Sequence, residues 1–211
     1  IRDYKVTGVQ TCALPISKIK IGIIQERKSP PDFRVPLTPA QCKQVMEQFP
    51  LLDITVESSP HRCFADQEYI QQGIAVSNDV AHCDVLFGVK EVPNDALIPN
   101  KKYFFFSHTL KKQPYNAKLL ATILEKKISL IDYEALKGSD GKRIIGFGRY
   151  AGIVGVYEGV RTFGLKHNKF NIPSPITLSG REEFDVILKS ADLGSARAEI
   201  RKSTRLNSSH L

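Results

Sequence analysis

Short apolar runs recur along the chain, each bounded by proline, asparagine, glycine or charged residues. They are rich in β-branched and aromatic residues and too short for helices, which is typical of buried strands in a parallel sheet. The predicted strands are residues 19–24, 53–56, 74–76, 85–89, 103–106, 129–134 and 143–147.

Between these runs lie segments with apolar residues at helical spacing. Thr38 followed by Pro39 marks the start of one helix, because proline is favoured at the first helical position after a capping residue. The predicted helices are residues 39–49, 66–72, 114–127 and 149–165. Alternating strands and helices indicate a parallel sheet covered by helices, so the sequence predicts an α/β domain.

Two polar residues follow successive predicted strands. Lys90 comes directly after residues 85–89, and His108 comes shortly after residues 103–106. Ligands of open α/β sheets bind at the carboxyl ends of the strands, so we expect both side chains at the same rim. A partly desolvated ammonium loses basicity and an imidazole titrates near about pH 6.5, so together they can move protons near neutral pH.

The same spacing also has a purely structural interpretation. In that case Lys90 pairs with Glu91 or with a helix C-terminus, and His108 is a hydrogen-bonded residue at a strand end. Spacing alone leaves both interpretations open.

Residues 146–151, GFGRYA, fit the GxGxxA pattern of a dinucleotide-binding turn and open a predicted helix. The rest of that fingerprint is absent, because no second strand ending in an acidic residue follows about 20 positions later. Gly152, Gly155 and Gly159 recur along the helix instead. We therefore interpret the segment as a helix that packs closely against another helix or domain, and we expect no cofactor-binding residue in this chain.

Both ends of the chain look like translated sequencing-library adapter. Residues 1–17 and 198–211 contain GVQTCALPI and KSTRLNSSH, which can be encoded by DNA sequences that are reverse complements over most of their length. One adapter flanking both ends of an insert explains this relation, so we exclude both segments from fold prediction. The natural sequence is expected to begin near Lys18, to end between Lys189 and Arg197, and to be truncated on both sides.

The formal net charge of +8 becomes smaller when the terminal segments are excluded. No basic stripe interleaved with aromatic residues remains, so no nucleic-acid partner is expected. No apolar run approaches the length of about 18 residues that a membrane span needs. Cys42, Cys63 and Cys83 lack the spacing of a zinc site or a disulfide framework. We therefore expect a soluble, cytoplasmic protein without a metal site.

Ordered motifs along nearly the whole natural region carry a resemblance to a known family. They are KIGIIQERKSPPDFRVPLTP at 20–39, LFGVKEVP at 86–93, FFFSHTLKKQPYN at 104–116, LIDYEAL at 130–136 and FGRYAGIVGVYEGVR at 147–161. They resemble the N-terminal domain of the saccharopine dehydrogenase and lysine–ketoglutarate reductase group, which is related to alanine dehydrogenase and transhydrogenase. The resemblance implies a Rossmann-like (flavodoxin-like) catalytic domain whose nucleotide-binding domain is lacking from this chain.

The resemblance also implies roles for single residues. Lys90 matches the family's catalytic lysine, and His108 matches its catalytic histidine. Arg34 matches a basic residue that holds a substrate carboxylate, a role that suits the bidentate guanidinium.

Further substrate-binding residues are implied in the same way. Glu91 and Glu134 match acidic residues near the lysine, where they would keep it charged until the substrate displaces their influence. Arg143 is a weaker match to a second residue that binds a carboxylate.

The implied reaction is reversible hydride transfer between NAD or NADP and a carbon bearing a secondary amine, with saccharopine, built from an amino acid and a 2-oxo acid, as substrate. Residues 18–165 would form the N-terminal domain, and residues 166–197 the truncated start of the next region. The chain alone is expected to be inactive, because the cofactor domain is missing. An alanine dehydrogenase, a transhydrogenase subunit and a non-catalytic binding domain remain alternatives, and the oligomeric state is open.

Overall fold

The computed structural model describes three stretches of the chain, residues 17–30, 32–178 and 180–190. Apart from Ser17, the two segments predicted to derive from adapter lie outside the described residues. Their origin therefore stays a prediction, as does the extent of the natural sequence.

The chain forms two compact units that divide between Ile145 and Gly146. Among the described residues, the first unit contains all the strands with their covering helices, and the second unit is helical. The domain boundary after residue 165 stays a prediction from the sequence.

A six-stranded parallel sheet forms the centre of the first unit. Its strands are β1 (Ile19–Ile23), β2 (Leu52–Glu57), β3 (Ala75–Ser77), β4 (Val85–Phe87), β5 (Lys102–Phe105) and β6 (Ser129–Asp132). Their order is β3-β2-β1-β4-β5-β6, so the direction of winding reverses between β1 and β4. This is a doubly wound order of Rossmann-like domains, and it confirms the predicted fold class.

The helices are α1 (Pro39–Gln48), α2 (Asp66–Gln71) and α3 (Ala117–Glu125) in the first unit, and α4 (Gly148–Lys166) and α5 (Arg181–Ser190) in the second. α1 begins where the sequence predicts, because the Thr38 hydroxyl accepts the Gln41 N–H and the Gln41 side chain accepts the Thr38 N–H. This reciprocal cap, with Pro39 at the first position, fixes the first turn. α3 begins later than predicted, since Pro114–Asn116 form a 3-10 turn.

Two apolar cores hold the sheet of the first unit. One combines residues of β4, β5 and α3, where Leu86, Phe105 and Leu119 are buried. The other combines residues of β1, β2, α1 and α2, where Ile54 and Tyr69 are fully buried. Burial of each large apolar side chain stabilises the fold by about 1.5–3 kcal/mol. The two cores cover the faces of the sheet, whereas the ends of the strands remain for other contacts.

The predicted strand at residues 143–147 is wrong. In the described chain, only an isolated antiparallel bridge between Lys137 and Arg143 forms there, and Ile144 is 66% exposed. No neighbouring strand covers this apolar run, so its composition alone does not make it part of the sheet. The other predicted strands correspond to β1–β6 within one or two residues at each end, whereas α5 has no predicted counterpart.

α4, α5 and the segment between them share a small core in the second unit. Tyr157, Val160 and Ile172 are buried there, and the rings of Tyr157 and Phe184 lie 4.6 Å apart. This core shows that the second unit has its own packing.

The glycines of α4 leave an open face. No described atom outside the helix backbone and its near neighbours lies within 4 Å of a Cβ built on Gly152, Gly155 or Gly159. Close packing of this face against a neighbour therefore stays a prediction.

No described helix combines the length and the apolar character that crossing a membrane requires. Within the described ranges, no cluster of histidine, cysteine, aspartate or glutamate is arranged to hold a metal ion. Cys42, Cys63 and Cys83 are free thiols. Burial raises the pKa of the Cys42 thiol to about 12, so this group remains protonated near neutral pH.

Candidate active site

The carboxyl ends of the strands meet at one rim of the sheet, and the winding reverses there between β1 and β4. Ligands of doubly wound sheets bind at such a reversal point. Arg34 lies in the loop after β1, Lys90 and Glu91 follow β4, His108 follows β5, and Glu134 follows β6. The fold therefore brings these predicted site residues to one edge of the first unit.

Lys90 is half-buried shortly after the end of β4. Its backbone N–H donates to the carboxylate of Glu26 at 2.9 Å, and the N–H of Val89 donates to the same carboxylate at 2.6 Å. Among the residues that the structure describes, none forms a hydrogen bond or an ion pair with the Lys90 ammonium. The backbone of this residue is thus fixed while its charged group stays available to a ligand.

His108 pairs with Glu91 across the ends of β5 and β4. β4 and β5 pair in parallel in a fixed register. When this register is continued beyond the ends of both strands, Glu91 lies beside His108. Nδ1 of His108 lies 2.5 Å from Oε1 of Glu91, and Oε2 of Glu91 accepts from Nζ of Lys28 at 2.7 Å. A carboxylate at Nδ1 orients the ring and leaves Nε2 to exchange a proton with a ligand.

These two contacts set the charge of Glu91. Burial alone would raise the pKa of Glu91, but the hydrogen bonds from Lys28, from the backbone N–H of Glu91 and from His108 together outweigh it and hold that pKa below its ordinary value. The described side-chain partners of Glu91 are Lys28 and His108, whereas its predicted partner is Lys90. The effect of Glu91 on Lys90 therefore stays a prediction.

Buried polar groups hold the backbone at His108, which has a left-handed φ of 56° that is uncommon for residues other than glycine. Asn116 Nδ2 donates to the His108 carbonyl at 3.2 Å. The hydroxyl of the preceding residue, Ser107, donates to the buried Asp132 carboxylate, whose other oxygen accepts the Glu134 N–H at 2.8 Å. The ends of β5 and β6 are thereby joined, and the turns that carry His108 and Glu134 are fixed together.

Arg34 forms a bidentate pair with Asp32. Its Nε donates to Oδ1 at 2.9 Å, and its Nη2 donates to Oδ2 at 2.5 Å. The hydrogen bond from Arg34 is the main cause that lowers the pKa of Asp32, and the charges of Arg34 and Lys90 lower it further. The Arg34 side chain is 40% exposed.

Glu134 is buried but carries two ion pairs. Its Oε1 lies 3.3 Å from Nη1 of Arg143 and 3.5 Å from Nζ of Lys111, and both cations are largely exposed. Glu134 is predicted to lie near Lys90, and this stays a prediction; the described ion pairs of Glu134 are those with Arg143 and Lys111. Arg143 thus reaches the rim through Glu134, and its role toward a substrate stays a prediction.

Sequence reasoning missed Glu26, Lys28 and Asp32, which all lie in the loop after β1. A signal was present, because these polar residues follow an apolar run just as Lys90 follows its own strand. The missing information was the strand order, since the loop reaches the end of β4 only because β1 and β4 are neighbours.

A cavity of about 360 Å³ lies beside the ion pair of Lys28 and Glu91, and its wall also contains Asn94 and Lys118. Neither Lys90 nor His108 lines it. The cavity therefore adjoins the candidate site without containing its proton-transfer groups.

The described residues do not fit a nicotinamide dinucleotide. Residues 24–38, after β1, contain no glycine, although a dinucleotide-binding sheet carries its glycine-rich turn there. Glu57, at the position of the acidic residue that would accept ribose hydroxyls, accepts the Gln25 N–H at 2.9 Å and pairs with Arg27. The GxGxxA pattern at residues 146–151 follows no strand among the described residues, so it lacks the strand-to-helix turn that binds a dinucleotide.

Comparison with known sequences connects this geometry to a family. The family described as "Alanine dehydrogenase/PNT, N-terminal domain" matches residues 22–154. Alpha-aminoadipic semialdehyde synthase of Arabidopsis thaliana is 34% identical over 150 residues, which are 69% of this chain and 14% of that protein. Saccharopine dehydrogenase (NAD(+), L-lysine-forming) of Yarrowia lipolytica is 27% identical over 153 residues, which are 70% of this chain and 41% of that protein.

Solved structures share the fold. An L-alanine dehydrogenase matches with a TM-score of 0.51 and 20% identity, covering 69% of this chain and 40% of that one. A transhydrogenase from Sinorhizobium meliloti matches with a TM-score of 0.54 and 14% identity, covering 69% of this chain and 42% of that one. At this level of identity the similarity shows the fold. This chain spans less than half the length of each of these four proteins.

Proposed function

The chain belongs to the alanine dehydrogenase/PNT N-terminal domain family, and on this premise we propose that it is the substrate-side part of an amino-acid dehydrogenase that acts on saccharopine. The longer parent protein would oxidise the secondary amine of saccharopine and release lysine and 2-oxoglutarate, or run the reaction in reverse. The chain alone would lack turnover.

One observation carries this proposal. Lys90 and the ion pair of His108 with Glu91 lie at the ends of the adjacent strands β4 and β5, beside the point where the winding of the sheet reverses. Two groups that exchange protons thus share the rim at which a doubly wound sheet receives its ligand. The structural interpretation of Lys90 is weakened, because its ammonium forms no ion pair with another described residue.

The chemistry needs a group that first accepts a proton and later returns one. A base takes the proton of the secondary amine while hydride leaves the neighbouring carbon, and an imine results. Water adds to the imine carbon, and collapse of the carbinolamine breaks the carbon–nitrogen bond. Lys90 and His108 share these proton transfers in our proposal, with Glu91 holding the imidazole. NAD or NADP, bound by the longer parent, supplies the hydride acceptor.

Carboxylate binding is assigned to the arginines of the rim. Arg34 would receive one carboxylate of the substrate, while Asp32 holds the side chain in position. Arg143, which is anchored on Glu134, would receive a second carboxylate. Saccharopine carries several carboxylates, so a rim with more than one arginine suits it better than it suits alanine.

The relatives also favour this substrate class. The saccharopine dehydrogenase of Yarrowia lipolytica is named for forming L-lysine with NAD(+), whereas the L-alanine dehydrogenase and transhydrogenase structures support the fold alone. A small-molecule partner is proposed on this basis. One relative from Bos taurus is named as mitochondrial, so the cytoplasmic location expected from the cysteines stays a prediction.

A substrate panel tests the proposal. The protein expressed from the complete gene is assayed with saccharopine, alanine or no amino acid, with NAD or NADP, and the reduced cofactor is followed by absorbance. We expect turnover with saccharopine and little with alanine. Turnover with alanine alone assigns the protein to the alternative enzyme class, and absence of turnover with every substrate contradicts the proposal.

A further inference from the structure

The carboxylate of Glu26 lies where β1 and β4 separate. The two strands pair in parallel up to Ile23 and Phe87, and the Ile24 N–H still donates to the Phe87 carbonyl at 2.9 Å. In a continuing parallel ladder the next bond would run from the Val89 N–H to the Ile24 carbonyl. The Val89 N–H donates instead to Oε1 of Glu26 at 2.6 Å. The Glu26 carboxylate therefore takes the place of the backbone carbonyl acceptor at the point where the two strands separate.

The second oxygen of this carboxylate holds the candidate lysine. Oε2 of Glu26 accepts the backbone N–H of Lys90 at 2.9 Å. From the other side, the Val89 carbonyl accepts the N–H of Phe106, just beyond β5, at 3.0 Å. The peptide unit from which the Lys90 side chain departs is therefore fixed from both neighbouring strands. An ionised carboxylate suits this position because its two oxygens accept two consecutive N–H groups.

The packing around Glu26 leaves space for this contact. A Cβ on Gly88 would lie 2.9 Å from Cδ1 of Ile24, so glycine at this position avoids a clash with Ile24; the same Cβ would be in ordinary contact with Oε1 of Glu26 at 3.4 Å. Glu26 belongs to the same loop as Arg34. Burial is the main cause that raises the pKa of Glu26, the charge of Asp32 adds to it, and the charge of Arg34 opposes it.

We propose that Glu26 is a positioning residue that fixes the backbone of Lys90 and links it to the loop carrying Arg34. The proposal rests on the proposed function for the role of Lys90 in the reaction, but the hydrogen-bonded contact exists without turnover. Its effect is to set the direction of the Lys90 ammonium relative to a carboxylate bound at Arg34. A displacement of about 1 Å at a reacting group can lower the rate about 100-fold.

The first test uses the chain without any substitution. The backbone amide resonances of Val89 and Lys90 are followed by NMR in the ¹⁵N-labelled chain through the titration of its carboxylates. We expect both resonances to move in one common titration, because the charge on the shared carboxylate polarises both N–H bonds. Resonances without a common titration overturn the proposal.

The second test compares two glutamates that hold the same loop, the half-buried Glu26 and the buried Glu57. Glu26→Gln replaces one accepting oxygen by an NH₂ donor, so one of the two N–H groups loses its acceptor. Glu57→Gln is the matched control, because Glu57 holds the same loop through the Gln25 N–H at 2.9 Å and through Arg27. The pH profile of acylation at the lysine side chain is then measured by mass spectrometry of the labelled peptide.

We expect Glu26→Gln to remove the common amide titration and to change the acylation rate of Lys90 by about threefold or more. Glu57→Gln should leave both readouts unchanged, and Lys102 serves as the internal reference. Equal changes in both variants indicate only a loosened loop and overturn the proposal, as does an unaltered Lys90 profile in Glu26→Gln. If Glu26→Gln does not fold, the titration in the unaltered chain decides.

A kinetic measurement separates this inference from the proposed function. In the parent protein, Glu26→Gln should lower kcat about 100-fold while KM changes little, because the substrate still binds at Arg34. A raised KM at unchanged kcat overturns the positioning role. If the unaltered parent does not turn over saccharopine at all, the proposed function fails, while the NMR and acylation readouts still decide whether Glu26 positions Lys90.

Discussion

The Glu91 carboxylate joins two basic side chains that come from different loops of the rim. It is 2.7 Å from Nζ of Lys28, after β1, and 2.5 Å from Nδ1 of His108, after β5. Its side chain is only 15% exposed, so water screens these contacts incompletely. At the scale of single residues, Glu91 is therefore the group through which the loop after β1 acts on the imidazole.

This arrangement predicts the titration of Glu91. Lys28→Met and His108→Asn should each raise the pKa of Glu91, because each removes a hydrogen bond that opposes the effect of burial. The measurement is ¹³C NMR of the glutamate carboxyl groups. Lys118→Met is the control, since Lys118 lines the same cavity without bonding Glu91. An unshifted Glu91 resonance in both test variants contradicts the described network.

The sign of the stability effect follows from the lowered pKa. The folded chain binds a proton at Glu91 less readily than the unfolded chain, whose pKa is about 4.3. The stabilisation is therefore present above about pH 4.3 and is lost as pH falls through the folded pKa. In Lys28→Met, stability should fall less on acidification through this range than it does in the unaltered chain. Thermal unfolding over a pH series measures this difference.

A second prediction at this scale concerns carboxylate binding by Arg34. Arg34→Lys keeps the charge but loses the planar fork that binds a carboxylate with two hydrogen bonds. In the parent protein we expect KM for saccharopine to rise roughly tenfold with a smaller change in kcat. Steady-state kinetics measures both constants, and the exposed Arg149 provides the control variant Arg149→Lys. A KM that equals that of the unaltered protein removes Arg34 from the substrate site.

At the scale of elements, β1 and β4 approach each other closely at Gly22. A Cβ on Gly22 would lie 2.7 Å from Cδ2 of Leu86 and 3.0 Å from Cβ of Val80. Both contacts are with buried side chains of one core, so relief requires a shift of packed residues. The strand that leads to the candidate site thus depends on having no side chain at this position.

Gly22→Ala is expected to lower the free energy of unfolding by about 1–3 kcal/mol through overpacking. Urea denaturation followed by circular dichroism measures the change. Gly152→Ala provides the control, because a Cβ there meets open space within the described chain, and alanine in a helix stabilises by about 0.5–1 kcal/mol. Equal destabilisation by both substitutions contradicts the close approach of β1 and β4.

Two apolar runs show what a strand pattern predicts and what it does not. Residues 85–89 and 143–147 have similar composition, and only the first contains a strand. β4 pairs with β1 and β5, so its backbone N–H and C=O groups are bonded on both sides. The second run has no neighbouring strand among the described residues. Local composition therefore indicated that both runs could form strands. Only the run that has neighbouring strands to pair with became one.

At the scale of the whole molecule, the candidate site was predictable only in part. Lys90 follows an apolar run directly and His108 follows one after a single serine, so both were predicted at the rim from the rule that ligands bind at strand ends. Glu26 obeys the same rule after β1, but its contact with the β4 end depends on strand order, which the sequence does not state. The described partners of Glu134 are Lys111 and Arg143, so its expected place near Lys90 stays a prediction.

The first unit carries the whole candidate site, yet its described residues offer no dinucleotide-binding turn. The chain also spans 14–41% of the two curated relatives compared above. Under the proposed function, this unit would bind the amino-acid substrate, and NAD or NADP would be bound elsewhere in the longer protein. Catalysis would then need both parts, since hydride transfer requires substrate and cofactor in contact.

The most direct test of the account is kcat for saccharopine oxidation by the Lys90→Met variant of the parent protein. Methionine keeps much of the length of the lysine side chain but removes its ammonium, so proton transfer is lost while packing is largely kept. We predict a fall of roughly 100-fold or more, as expected for loss of a general acid–base group, and no change for the exposed Lys102→Met. Full activity of Lys90→Met would contradict the assignment of the chemistry to this rim.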